Sequence, residues 1–159
     1  CCPGGVNDVL AETLGLQNVK ILNPMGADAQ GRPYGLIRMG EVKAQDVPTF
    51  AAFVKKALSC PGVRFADAGK KVCRVAVGGG SCGSEIEDVI QAGCDTLVTA
   101  DLKYNHFEEA KYRGLNLIDA GHFETEDPVC AVLERVLKNA FPELTVSRAK
   151  THRDETQFL

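Results

Sequence analysis

The sequence predicts an α/β domain, with strands and helices alternating around a largely parallel or mixed sheet. Three observations carry this expectation. Apolar runs too continuous for a one-sided strand, "KVCRVAV", "DTLVTA" and "LNLID", recur in the second half of the chain, as strands do when both faces of a sheet are covered. Segments with helical spacing and a glycine stop separate them, so that from Lys71 onward the order reads β-α-β-α-β-α-β, with helices on both faces of the sheet. The length, 159 residues, suits a single domain whose core needs no disulfides.

Taken in order, "NDVLAETLGL" reads as a short helix with Asn7 or Asp8 as N-cap and Gly15 as stop. "VKILNP" is a strand ended by Pro24, "MGADAQGRP" a polar turn, and "YGLIRMGEV" a second strand weakened by Gly35 and Gly40. "DVPTFAAFVKKAL" is a helix capped by Asp46, with Phe50, Phe53, Val54 and Leu58 on its apolar face. The strand "KKVCRVAVGG" then leads into the helix "SEIEDVIQAG", the strand "DTLVTAD" into the helix "YNHFEEAKYRG", and the strand "LNLIDAG" into the clearest helix of all. There Val129, Val132, Leu133, Val136, Leu137 and Ala140 recur at helical spacing, with Glu134 and Lys138 paired on the outer face. "ELTVSRA" reads as a last strand, and 149–159 as a polar tail beyond an ordered body of residues 3–148.

Composition narrows the function classes. Eighteen basic against 21 acidic residues give a net charge of −3 with no basic block, which argues against a nucleic-acid partner. No apolar stretch approaches a membrane span and no secretory signal is visible. Seven cysteines, an odd number without a Cys-x-x-Cys pair, several inside apolar runs, point to reduced thiols in a cytoplasm-like compartment. The chain opens "CCPGGVNDVL" without a methionine, as a processed product or a piece of a longer protein would.

Ligands of such sheets bind beyond the carboxyl ends of the strands, where "GGGSCGS", "ADLKYNH" and "DAGHFETE" should converge. In the last of these His122 precedes Glu126 by four residues, with Pro128 fixing the first turn of the next helix. Imidazole plus carboxylate suits zinc, manganese or iron, and Asp119 is placed to orient the imidazole. The plain alternative is a solvated histidine and a glutamate favoured by the helix dipole. Asp101, Asn105 and His106 occupy the middle segment, where Asp101 could equally be an N-cap. His152 falls in the polar tail and reads as solvated. Gly78, Gly80 and Gly83 satisfy G-x-G-x-x-G after a strand, with Asp101 where a ribose-binding acid would sit. Glu85, Glu87 and Asp88 crowd that helix start and oppose a pyrophosphate, so some other anion or a polar substrate group suits the loop better than a dinucleotide.

"PGGVNDVLAETLGL", "GLIRMGEV", "VCRVAVGGGSCGSEI", "GCDTLVTADLKYNHFEEA" and "NLIDAGHFETE" together resemble the Nif-three-like family of dinuclear-metal proteins, many of which are called GTP cyclohydrolase type-two homologues. The likeness runs from Pro3 to about Leu137, and "DAGHFETE" is its most specific part. It implies a lobe of a two-lobed α/β protein and metal-assisted hydrolysis of a nucleotide-like or small phosphorylated substrate. His122 and Glu126 would be the metal ligands of a site holding two divalent ions (zinc, iron or manganese) in the intact protein. Asp101 and His106 would be catalytic candidates orienting water or substrate, and Gly79, Gly80 and Ser81 substrate contacts. A homo-oligomer is implied, typically a hexamer. The family's other ligands lie upstream of "PGGVND", so a C-terminal portion lacking an N-terminal lobe is expected. Ala100 stands where the family usually has Gly, Asn105 where it has His, and Gly78 where many members have Cys. A non-enzymatic metal-binding regulator and, more distantly, a dinucleotide-binding oxidoreductase are the competing expectations.

Overall fold

The computed structural model describes residues 1–159. A six-stranded mixed sheet forms its centre, built from β1 (Gln17–Leu22), β4 (Ile37–Gln45), β5 (Arg64–Ala66), β6 (Val72–Ser81), β7 (Thr96–Ala100) and β8 (Asn116–Asp119) in the order β1-β4-β6-β7-β8-β5. The middle three, β6, β7 and β8, are parallel. The outer pairings of β1, β4 and β5 are antiparallel.

Side-chain alternation along the parallel strands explains why both faces are covered. Val75, Val77, Val98 and Ile118 face α1 (Val6–Thr13) and α2 (Val47–Ala57). Ala76, Leu97 and Leu117 face the opposite layer, where α3 (Ile86–Gln91) and α4 (Tyr104–Tyr112) lie. Each helix ends where expected: Gly15, Gly93 and Gly114 follow the ends of α1, α3 and α4 with positive φ, the conformation that closes a helix at little cost in glycine. Asp46 caps α2, its Oδ1 accepting from the Thr49 amide at 2.8 Å. No helix is long and apolar enough to cross a membrane.

Three local expectations are corrected, and a fourth, the polar turn, is extended. Asn7 and Asp8 lie inside α1, whose N-cap is Gly5, because both side chains are drawn elsewhere. Asn7 donates to the Leu36 carbonyl and accepts from the Gly79 amide, while Asp8 pairs with the buried Arg38. The polar turn "MGADAQGRP" closes a small hairpin between β2 (Gly26–Ala27) and β3 (Pro33–Tyr34). Residues 143–149 form no strand, since the outer edge of β8 is already taken by β5. Glu126 ends a separate short helix, α5 (His122–Glu126), and α6 (Val129–Ala140) starts after Pro128.

Candidate functional site

The carboxyl ends of β6, β7 and β8 meet as anticipated. The three glycines that close β6 belong to the strand itself, and they do not form a loop. Pairing with β7 slips between Val77↔Val98 and Ser81↔Ala100, so the run Gly78–Gly80 bulges. A Cβ on Gly79 would lie 2.7 Å from Val6 Cγ1 and 3.2 Å from the Thr125 carbonyl. One on Gly80, at φ +64°, would lie 2.8 Å from Glu126 Oε1 and 2.9 Å from His122 Nε2. The glycines therefore let α1 and α5 approach the strand end.

Their amides are already used. Gly79 N–H donates to Asn7 Oδ1 at 2.7 Å, Gly80 N–H to Thr125 Oγ1 at 3.0 Å, and Cys82 N–H to Thr99 Oγ1 at 3.1 Å. A pyrophosphate cradle needs free amides, so this geometry speaks against dinucleotide binding and against substrate contact through those two glycine N–H groups. Ser81, beside Ala100 at the strand end, keeps an exposed side chain.

Asp101 is not the cap of α4, a position held by Lys103. It sits at φ +54°, a conformation aspartate tolerates better than most residues, and its Oδ2 lies 2.6 Å from His122 Nδ1. With Nδ1–H donated to that carboxylate, Nε2 carries the free lone pair. Nε2 points toward Glu126 Oε2, 3.5 Å away, over the space that Gly80 leaves open. The hydrogen bond to Asp101 raises the His122 pKa above its ordinary value, partial burial opposes this, and the Glu126 and Asp101 charges reinforce it.

Asp119 does not perform the orienting role expected of it. Its Oδ2 accepts from the Leu102 amide at 3.1 Å and pairs with Arg64, and its Oδ1 accepts from the Gly121 amide. His106 is also otherwise engaged: Nδ1 accepts from the Lys103 amide at 3.2 Å, and the ring lies against Gly83, where a Cβ would be 2.6 Å from it.

Two cavities flank His122. One, of about 290 Å³, is lined by Arg64, Asp101, Asp119, Glu124 and, from the C-terminal segment, Asp154. The other, of about 490 Å³, has Glu126, Asp127, Cys130 and His152 on its walls. Among these residues sequence reasoning singled out only Asp101, Asp119 and Glu126 as site candidates, and two of those it passed over stand out. Glu124 is buried, and desolvation pushes its carboxyl above the usual range, the nearby charges of Asp154 and Asp127 adding to the shift. Its only sequence signal was its place inside "DAGHFETE". His152 folds back to pack at a tilt against Phe123, with ring centroids 4.9 Å apart and 45° between the ring planes; nothing in its polar surroundings signalled that contact.

An imidazole nitrogen with a fixed tautomer, a facing carboxylate and a glycine-cleared space fit a divalent ion of the zinc, iron or manganese class. Two donors alone leave most of its coordination sphere to other groups.

The comparisons with known proteins agree with this architecture. The family model described as Duf34/NIF3 (NGG1p interacting factor 3) matches residues 1–155. A "GTP cyclohydrolase 1 type 2 homolog" from Nostoc sp. is 36% identical over 140 residues, covering 85% of this chain and 51% of the relative. One of the same name from Clostridium perfringens is 29% identical over 159 residues, covering 98% and 60%. The chain thus spans between half and three-fifths of these relatives' lengths. A crystal structure of a Staphylococcus aureus protein superposes with a TM-score of 0.86 at 29% identity, over 99% of this chain and 66% of that one. A Bacillus cereus protein related to NIF3, at 22% identity, shares the fold with a TM-score of 0.87. The chain belongs to the Duf34/NIF3 family.

Proposed function

We propose that this chain supplies one wall of a divalent-metal hydrolytic site, with His122 Nε2 and Glu126 as the ligands it contributes. The observation that carries the reading is the convergence of these two side chains over Gly80 while Asp101 fixes the histidine tautomer. Metal-binding histidines characteristically donate their second ring nitrogen to a carboxylate in this way. The family resemblance extends the site to two ions of zinc, iron or manganese and to a homo-oligomer, a hexamer, in the intact protein. The name that the relatives carry, together with that resemblance, points to a nucleotide-like or small phosphorylated substrate. Seven unpaired cysteines support a reducing, cytoplasmic setting.

A bound ion supplies Lewis acidity and lowers the pKa of a water. The chain's own residues do the rest. His122 and Glu126 hold the ion's place. Asp101 keeps the Nδ1 proton and, being half exposed beside the cavity, orients water or substrate. Ser81 offers a hydroxyl at the strand end, and Arg64, stacked 5.2 Å over Phe107, borders the cavity with positive charge. Both nitrogens of His106 remain available only if its cap to Lys103 opens, so it stands behind Asp101 as a catalytic candidate.

Metal content measured by mass spectrometry on protein purified without chelator tests the ligand assignment. The chain should carry zinc, iron or manganese, and His122→Ala and Glu126→Ala should each carry measurably less. Equal metal in all three would reject the assignment. Hydrolysis is tested next on metal-loaded protein with a nucleotide panel, and complete inactivity there would favour the non-enzymatic regulator.

A further inference from the structure

We propose that Asp127, Cys130 and His152 form a second metal site, of the zinc class, that clips the C-terminal segment to the start of α6. Oδ1, Sγ and Nε2 of these residues lie within 4.8 Å of one another. The Asp127 to His152 contact is 3.0 Å and the Cys130 to His152 contact 4.0 Å. Tetrahedral zinc, with bonds of about 2.0–2.1 Å to nitrogen, about 2.0–2.2 Å to oxygen and about 2.3 Å to sulfur, sets its ligand atoms roughly 3.3–3.6 Å apart. The two contacts of His152 lie within about half an ångström of those spacings, and the third, bounded by 4.8 Å, closes by up to about an ångström and a half through side-chain rotation at the partly exposed site.

The arrangement is held from independent directions. Asp127 and Cys130 are three residues apart across the Pro128 turn, where the Cys130 amide donates to the Asp127 carbonyl at 2.9 Å. This presents both side chains on one side of the helix start. His152 is steadied by its tilted contact with the Phe123 ring, which consumes neither ring nitrogen. Arg148 already pairs with Asp127, so the carboxylate needs no imidazolium for neutralisation, and a thiol contributes nothing to an ion pair. Arg148 and His152 both meet the same Asp127 oxygen, Oδ1, so a metal there would share Oδ1 with Arg148 or take Oδ2. A thiolate, an imidazole and a carboxylate select a borderline ion such as zinc over magnesium or calcium.

On binding, the Cys130 thiol gives its proton to solvent and the sulfur coordinates the ion; no electrons are transferred. Asp127, Cys130 and His152 line the 490 Å³ cavity that Glu126 and His122 also line. Metal here would therefore fix the wall formed by residues 152–155 without using any ligand of the His122 site.

The test is alkylation of the whole chain by iodoacetamide, mapped cysteine by cysteine, with and without zinc. Zinc should slow modification of Cys130 by about tenfold or more, because a coordinated thiolate is withdrawn from reaction, and chelator should restore it. His152→Ala should abolish this protection and His122→Ala should leave it intact, keeping this site separable from the first. An unchanged Cys130 rate in the unaltered chain overturns the proposal with no need for a variant to fold. Protection lost in His122→Ala but kept in His152→Ala overturns it as well, because the shielding would then belong to the neighbouring site.

Discussion

Two helices of this chain, α2 and α6, both have regular apolar faces and meet opposite fates. Val47, Phe50, Ala51 and Val54 of α2 are buried against the sheet. No residue of α6 is buried; Leu133 is 52% and Val136 53% exposed. The spacing in α6 is the more regular of the two, yet it states only that the helix has an apolar side. Coverage is decided by what else the chain places there. The sheet offers α2 the continuous surface of Val72, Val75 and Ile118, whereas α6 meets α1 and a loose groove toward Val146 and Arg148.

The sharpest way to break that comparison is at Phe50, which is fully buried. Phe50→Ala should cost about 3–5 kcal/mol, the transfer loss and the cavity acting together. Chemical denaturation measures it. A cost below about 1 kcal/mol would mean that α2 docks no more firmly than α6, and the contrast would collapse.

A smaller effect is expected at α1, which is buried through Val9, Leu10 and Ala11 as α2 is but is also fastened by charge. The Arg38 side chain is only 2% exposed. It is held by Asp8, by a second contact of 3.1 Å to the same carboxylate, and by the Gly35 carbonyl at 2.7 Å. Asp8→Asn should cost about 3 kcal/mol, because it strands a buried guanidinium. Burial alone would raise the Asp8 pKa, but the Arg38 hydrogen bond, the Gly4 amide and the nearby positive charges outweigh it, leaving it below the ordinary 3.8. A depressed carboxylate stabilises the fold fully above its unfolded pKa and loses that contribution as pH falls through the folded one. The difference between the unaltered chain and Asp8→Asn should be flat near neutrality and shrink only below pH 3.8. Shrinkage already at pH 6 would assign the effect to another group.

What the sequence made legible follows the same division between local and tertiary causes. The Asp46 cap and the glycine stops are local chemistry, and each stands where it was expected. The two-sided apolar strands announced their own burial, and "DAGHFETE" announced its place at their carboxyl ends. β5 was invisible because Arg64, Phe65 and Ala66 have no alternation of their own; pairing with β8 makes them a strand. Asn7 and Asp8 look like caps until Gly79 and Arg38 are placed beside them. The Asp101 bond to His122 depends on a positive φ at Asp101, and no residue pattern encodes that. His152 finds Phe123 and Asp127 more than twenty positions upstream, a closure that residue type alone does not signal.

The smallest expected effect sharpens the comparison most finely, because α6 is not uniform along its exposed side. Leu133 borders the groove toward Val146 and Arg148, and Val136 does not line it. Val136→Gln should change stability by no more than about 0.5 kcal/mol, as substitutions of exposed residues do. Leu133→Gln should cost more, up to about 1 kcal/mol, since burying even part of an apolar side chain contributes roughly 25 cal/mol per Å². Measured together by denaturant unfolding, a positive difference between the two reads out how firmly residues 146–149 lie on the helix. Equal and negligible costs would show that α6 carries its apolar side bare along its whole length.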